Sequence, residues 1–411
     1  MCFKKEKMKT YIFLTNSIGG ISGGPIYVCN KLVYLIEQGW NVVVFDSTGL
    51  TNAKVVVREL RRFEKNRLPE LFYYPSWFNK WQRDKVIKYI CDKIPNSEEC
   101  VIESNSFILG AWGEILAKKL SAKHLLFSIG EHNIAKTVDE YDFLKFKAQE
   151  KELYSIFTKA YETIFDKFPI IGEPHEHVWN ANVDVPVKDI NVPILNTLNP
   201  KDVNIGYFGR YKPFLTNILL GINSFALNHK ESTINLIILG MSKLPEKLNQ
   251  ILIGTNINVY FIGSSFPLPK DFFSLCKVIF ATSGCARIAY NAGSKVIGMD
   301  VKQNKPIGVL GYDTRYYTYA DEQCKFDKLS VDFLNDIFDT CKYEGAPSIK
   351  LPESSYGYTY QMKCIYHKNQ SYYNTLNVFC CINISSKIHR ILIKLGFCKL
   401  LTILRHKQNA K

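Results

Sequence analysis

Residues 11–46 read as a short apolar strand, a loop with two glycine pairs, an amphipathic helix and a second apolar strand, and few folds accept that order. Residues 11–14, Tyr-Ile-Phe-Leu, suit a buried strand and are too short for a helix. The loop Gly19-Gly20-Ile21-Ser22-Gly23-Gly24 requires a tight backbone that lets another molecule approach closely. Pro25 stands where a helix tolerates it, in the first turn, and Gly39 stands where a helix ends. Between them Ile26, Cys29, Val33 and Ile36 recur at helical spacing, and residues 40–45 resume as a strand. Such a unit opens a parallel α/β domain of the nucleotide-binding type.

A dinucleotide is the first ligand to consider for the loop, and the glycine spacing opposes it. The fingerprint needs glycine at relative positions one, three and six, and position three here is Ile21. Asp46 ends the second strand near where a ribose-binding acid falls, but a polar residue there is common in any parallel sheet. A loop facing a sugar or an acceptor fits better than one wrapped around a pyrophosphate.

A chain of 411 residues has the length of two domains, each able to bury its own core. An apolar fraction of 46% excludes a disordered chain, and a formal charge of +14 implies an anionic partner. A phosphorylated ligand and an acidic membrane surface both qualify; no finger, homeodomain or RNP-type signature supports nucleic acid. The 12 cysteines are scattered without a CxxC pair, which favours reduced thiols and a cytoplasmic protein. No stretch reaches transmembrane length.

Strands alternate with helices along both halves. Residues 101–103 end a strand, residues 107–120 form a helix, and residues 124–129 form a buried strand that runs into Gly130-Glu131-His132-Asn133. Residues 138–166 read as one long helical region, and 171–199 as a connection rich in Pro, Asn and His. A second set of strands follows at 204–208, 236–239, 259–262, 278–281 and 296–299, each running into Gly, Thr or Asp. Residues 304–314 read as a loop. The pattern predicts two Rossmann-like parallel-sheet domains facing a cleft. The same pattern places a first domain at residues 1–190, a second at 191–345 and an extension at 346–411.

Ligands in open parallel sheets bind beyond the carboxyl ends of the strands. Arg210 with Lys212, and Ser283-Gly284 before a helix carrying Arg287, stand at such ends. Unpaired helix N–H groups with cations nearby suit a diphosphate, although an N-cap serine beside surface cations reads equally well. Glu131 and His132 follow a strand, where a histidine can orient or deprotonate a sugar hydroxyl; a plain loop histidine is the alternative. Glu103 reads as a base or, better, as a helix-capping acid. His175 and His177 lack a third metal ligand. Residues 386–407 interleave Ile388, Ile391, Leu392, Leu395, Leu400, Leu401 and Leu404 with Lys387, Arg390, Lys394, Lys399 and Arg405. They predict a basic amphipathic helix, packed with its basic face outward or lying on an anionic bilayer.

Over residues 11–314 the chain resembles the glycosyltransferases of the GT-B fold, in the broad style of family 4. The resemblance rests on the loop carrying Gly19, Gly20, Gly23 and Gly24, on His132, on residues 204–210 ending in Gly-Arg, and on residues 278–300. It implies a metal-independent transferase in which Arg210, Lys212, Ser283, Gly284 and Arg287 hold a nucleotide-sugar donor. His132 and Glu131 would then act on the transferred sugar, and the glycine loop would face donor and acceptor. No cofactor is implied, since the nucleotide sugar is a substrate. A glycan or lipid-linked acceptor in bacterial surface polysaccharide synthesis suits the family, with the enzyme cytoplasmic or peripheral at the inner membrane face. Two departures favour the alternative of a non-catalytic module that binds a sugar nucleotide or a partner. The family's lysine five residues after the arginine is Leu215 here, and residues 283–293 contain none of its paired glutamates.

Overall fold

The computed structural model describes residues 9–16, 18, 23–47, 64–130, 133–179, 185–252, 256–316, 329–338, 341–350, 357–366, 371–378 and 384–409. The chain divides into two units. Unit 1 joins Met1–Val183 to Ser354–Lys411, and unit 2 is Asp184–Glu353.

Unit 1 begins with β1 (Lys9–Thr15), α1 (Gly23–Glu37), β2 (Asn41–Asp46), β3 (Glu64–Arg67), α2 (Lys80–Asp92) and β4 (Glu99–Ser104). It continues with α3 (Phe107–Leu120), β5 (Lys123–Ser128), α4 (Val138–Gln149), β6 (Leu153–Ser155) and α5 (Thr158–Ile164). The strands form one sheet in the order β3-β2-β1-β4-β5-β6, parallel throughout. Both faces are covered, as an all-parallel sheet requires. Along β1, Ile12 and Leu14 enter the core under α2, α3 and α4, while Tyr11 and Phe13 enter the core under α1.

Unit 2 runs β7 (Val187–Lys188), β8 (Val203–Phe208), α6 (Leu215–Asn228), β9 (Ile234–Leu239), α7 (Glu246–Asn249), β10 (Ile257–Gly263) and β11 (Leu268–Pro269). Then come α8 (Lys270–Leu275), β12 (Val278–Ala281), α9 (Ser283–Asn291), β13 (Val296–Met299), β14 (Pro306–Val309) and α10 (Val331–Phe338). Its main sheet has the order β10-β9-β8-β12-β13-β14. Only the last pair in that order, β13 with β14, is antiparallel. In each unit the third, second and first strands of the sheet lie on one side and the fourth, fifth and sixth on the other. The winding therefore reverses between β1 and β4 in unit 1, and between β8 and β12 in unit 2.

After unit 2 the chain returns to unit 1 with α11 (Tyr358–Tyr366), α12 (Ile384–Lys394) and α13 (Cys398–Asn409). Met362 and Ile365 of α11 pack into the core under α1, and the Tyr358 ring centre lies 5.2 Å from that of Tyr34. With the sheet on one side and α11 beside it, α1 buries Tyr27, Val28, Cys29, Lys31, Leu32 and Leu35. Ile26, Val33 and Ile36 are only half-buried, so the helix is turned from the stripe that its aliphatic spacing suggests.

Three elements differ from expectation. The helical region at 138–166 is two helices separated by the buried strand β6, because Lys151 adopts φ +54° and ends α4. Residues 304–314 contain β14, which pairs with β13. The C-terminal amphipathic stretch is broken into α12 and α13 at Gly396, whose φ is +93°.

Candidate functional site

The carboxyl edge of the unit 2 sheet gathers the predicted phosphate ligands. β8 and β12 are neighbours in register, Phe208 opposite Ala281, so Gly209-Arg210 and Thr282-Ser283 leave the sheet side by side. They flank the winding reversal, where the helices following adjacent strands go to opposite faces and open a crevice. Arg210 is exposed and Lys212 half-buried, and Tyr207 Oη donates to the Arg210 carbonyl at 2.6 Å. Burial pushes the Tyr207 hydroxyl up, so it remains a donor at neutral pH. Across the crevice, Ser283 opens α9 with φ +53°, a left-handed conformation unusual for serine. Gly284 and Arg287 follow on α9, both half-buried. Leu215, at the position of the family's lysine, is fully buried at the start of α6 and belongs to the core.

Glycine ends three consecutive strands of this edge. Gly209 follows β8, Gly240 follows β9 and Gly263 closes β10, all with positive φ. Gly209 N–H donates to Leu239 O at 2.9 Å, and Gly240 N–H to Gly263 O at 2.8 Å, which extends the ladder past the strands. A Cβ on Gly240 would lie 2.6 Å from Gly209 O, a backbone atom that cannot swing aside. Gly240→Ala is therefore expected to destabilise this edge by about 2 kcal/mol, from backbone strain and the forced shift together. Amide hydrogen exchange should accelerate in β8 and β9; unchanged protection there would refute the close approach.

The acids that follow in unit 2 are occupied in turns. Asp300 accepts from Lys302 N and Gln303 N at 2.7 Å each, and Asp313 Oδ2 accepts from Val309 N at 3.0 Å and Tyr343 Oη at 3.1 Å. They hold the β13–β14 connection and the turn after β14.

In unit 1, Gly23 and Gly24 are the first residues of α1, while Gly19, Gly20, Glu131 and His132 lie outside the described residues. The ends of the two loops meet. A Cβ on Gly24 would lie 3.2 Å from Ile129 Cγ2, at the exit of β5 that leads to Glu131 and His132. Glu103 is neither base nor cap. It is fully buried, receiving Lys31 Nζ at 2.6 Å and Tyr11 Oη at 2.6 Å on Oε2, and Asn105 Nδ2 at 3.0 Å on Oε1. Lys31 is enclosed by the rings of Tyr11, Tyr27 and Trp179, with Nζ 5.2 to 5.6 Å from their centres. Burial lowers the lysine's pKa, and the Glu103 carboxylate opposes that shift.

Sequence reasoning passed over Asn105. It follows β4 at the unit 1 winding reversal, its N–H donating to Leu14 O at 3.0 Å, and its buried Oδ1 has no hydrogen-bond partner among the described residues. A polar residue directly after a strand was the available signal. His177 is buried, stacked on Tyr161 at 4.6 Å and bonded through Nδ1 to Leu153 O, whereas His175 is exposed. Among the described residues no group of three His, Cys, Asp or Glu could hold a metal ion.

No family model matches the chain, and no curated protein matches it in sequence. Solved structures do match. A glycosyltransferase from Rickettsia africae aligns with 94% of this chain and 97% of its own, at TM-score 0.55 and 13% identity. HepE from Anabaena, in complex with UDP and glucose, aligns over 81% and 91%, at TM-score 0.51 and 14% identity. A second HepE structure, in complex with UDP-glucose, aligns over the same shares at 13% identity. With both sheets wound in the same order and these structures as neighbours, the chain has the GT-B fold of glycosyltransferases.

Proposed function

We propose that the protein transfers a sugar from a nucleotide-sugar donor to a glycan or lipid-linked acceptor. The observation that carries this reading is the placement of Arg210 and the α9 start on the two strands that flank the unit 2 winding reversal. The UDP and UDP-glucose held by HepE support it. The α9 N–H groups and Arg210, Lys212 and Arg287 would meet the diphosphate and stabilise the charge that builds on it as the bond between the sugar's anomeric carbon and the diphosphate oxygen breaks and the acceptor oxygen takes its place. These cations would supply charge that other enzymes take from a metal. Glu131 and His132 would orient the transferred sugar and move a proton at the acceptor hydroxyl. The acceptor would belong to a surface polysaccharide pathway.

Arg210→Ala should lower kcat/KM by about 100-fold, the scale of removing one donor to a developing anion. Calorimetry should also show weakened UDP binding, and donor affinity equal to wild type would sink the diphosphate assignment. Leu215 in the core and the acid-free α9 favour a second reading, a module that binds a sugar nucleotide without turning it over. Donor binding with neither transfer nor hydrolysis by purified protein would select it.

A further inference from the structure

The last two helices of the chain pack with their apolar stripes outward. On α12 and in the turn directly after it, Ile388, Ile391 and Leu395 recur at steps of three and four and are 52%, 58% and 67% exposed, while Ile393 on the opposite side is fully buried. On α13, Leu400, Ile403 and Leu404 are half exposed, while Cys398, Leu401 and Thr402 face inward. A helix on a globular surface normally does the reverse. The arrangement is anchored. Ile393, Cys398 and Leu401 join the unit 1 core, and Gln82 Nε2 of α2 donates to Ile393 O at 2.9 Å and Lys394 O at 3.3 Å. Trp81, beside Gln82, is 71% exposed, and Phe397 between the helices is 47% exposed.

The chemistry of the rim indicates what covers this face. Residues 354–411 contain nine Lys or Arg and no Asp or Glu. Lys387, Lys394 and Lys399 are exposed on the two helices, next to the apolar stripes. A second copy docking through the same patch would set cation against cation, since a two-fold contact is self-complementary. No helix among the described residues is long and apolar enough to cross a membrane.

We propose that α12 and α13, with Trp81, form a docking surface for an anionic lipid bilayer. The helices lie in the headgroup layer, with Ile388, Ile391, Leu395, Leu400, Ile403 and Leu404 in the acyl boundary and the lysines on lipid phosphates. This assignment goes beyond sugar transfer and stands independently of it.

Co-sedimentation of the full chain with vesicles tests it. The protein should bind phosphatidylcholine vesicles containing phosphatidylglycerol, bind pure phosphatidylcholine far less, and release as salt is added. Ile391→Glu/Leu395→Glu and, separately, Lys387→Gln/Lys394→Gln should each weaken binding about tenfold or more. All four residues are exposed, so the thermal midpoint should stay at the wild-type value. Wild-type failure to bind anionic vesicles overturns the proposal, as does undiminished binding by the double glutamate variant. A dimer in sedimentation velocity that this variant dissolves, without vesicle binding, assigns the face to a second copy instead.

Discussion

Glu103→Ala should cost unit 1 about 3–5 kcal/mol, the price of stranding a buried ammonium. Lys31 and Glu103 side chains are both fully buried, and the carboxylate is the counter-charge that Lys31 Nζ meets at 2.6 Å. Without it, Lys31 keeps, among the described residues, only the Tyr27 hydroxyl at 3.1 Å and the faces of three aromatic rings. Tyr11 Oη and Asn105 Nδ2 lose their acceptor as well. The five tryptophans, at 40, 77, 81, 112 and 179, all precede residue 183, so their emission during urea unfolding reports unit 1. Two controls separate stranded charge from lost volume. Lys31→Met in the Glu103→Ala background should recover part of the loss. Raising the pH toward the ordinary lysine range should do the same, because the folded variant prefers neutral Lys31 and the unfolded chain approaches that state. A double variant no more stable than Glu103→Ala would show that packing dominates.

Acidification should remove ~3 kcal/mol from unit 1 as pH falls from 4.5 toward about 2, the lowered pKa of Glu114. Burial alone would raise this carboxyl, but the Lys147 ammonium and the His124 ring outweigh burial and hold it down. The sign follows: a carboxylate depressed in the folded state stabilises fully above its unfolded pKa and loses that contribution below it. Lys147 reaches both Glu114 and Glu152, and His124 Nδ1 lies 3.0 Å from Glu114 Oε1. Glu114 Oε2 also accepts Tyr373 N–H at 3.1 Å, so protonation loosens the hold on residues 371–378. Glu114→Gln should flatten this acid limb in a tryptophan-monitored titration. An unchanged limb in the variant would assign the titration to other carboxylates.

Much of the frame was legible because parallel strands here are short apolar runs with a polar stop. The bounds of α3, β12 and β13 match the sequence reading, and Arg210 at the unit 2 edge could be found because it directly follows such a stop, with Lys212 two residues on and Arg287 in the helix after the stop that ends β12. The elements that escaped lack that contrast. β3 is Glu-Lys-Asn-Arg, a charged strand at the sheet edge held by parallel pairing with β2. β6 has three residues, too few to show a period, and is defined by pairing with β5. Lys31 was invisible for a different reason. On α1 it resembles a solvated lysine, and its burial depends on a carboxylate 72 residues away, on Trp179, and on α11 near the far end of the chain.

The return of residues 354–411 to unit 1 constrains how the molecule is made. Unit 2 is one continuous stretch and can fold as it leaves the ribosome, whereas unit 1 must wait for α11, α12 and α13. Until then Leu32 and its neighbours on α1 lack their α11 contacts, the Tyr27 hydroxyl lacks Gln361, and the Ile393 site beside α2 is empty. Nascent unit 1 is therefore an incomplete domain for most of its synthesis, with apolar surface open to chaperones. A premature stop after residue 353 should yield a chain whose second unit is finished and whose first is a substrate for proteases.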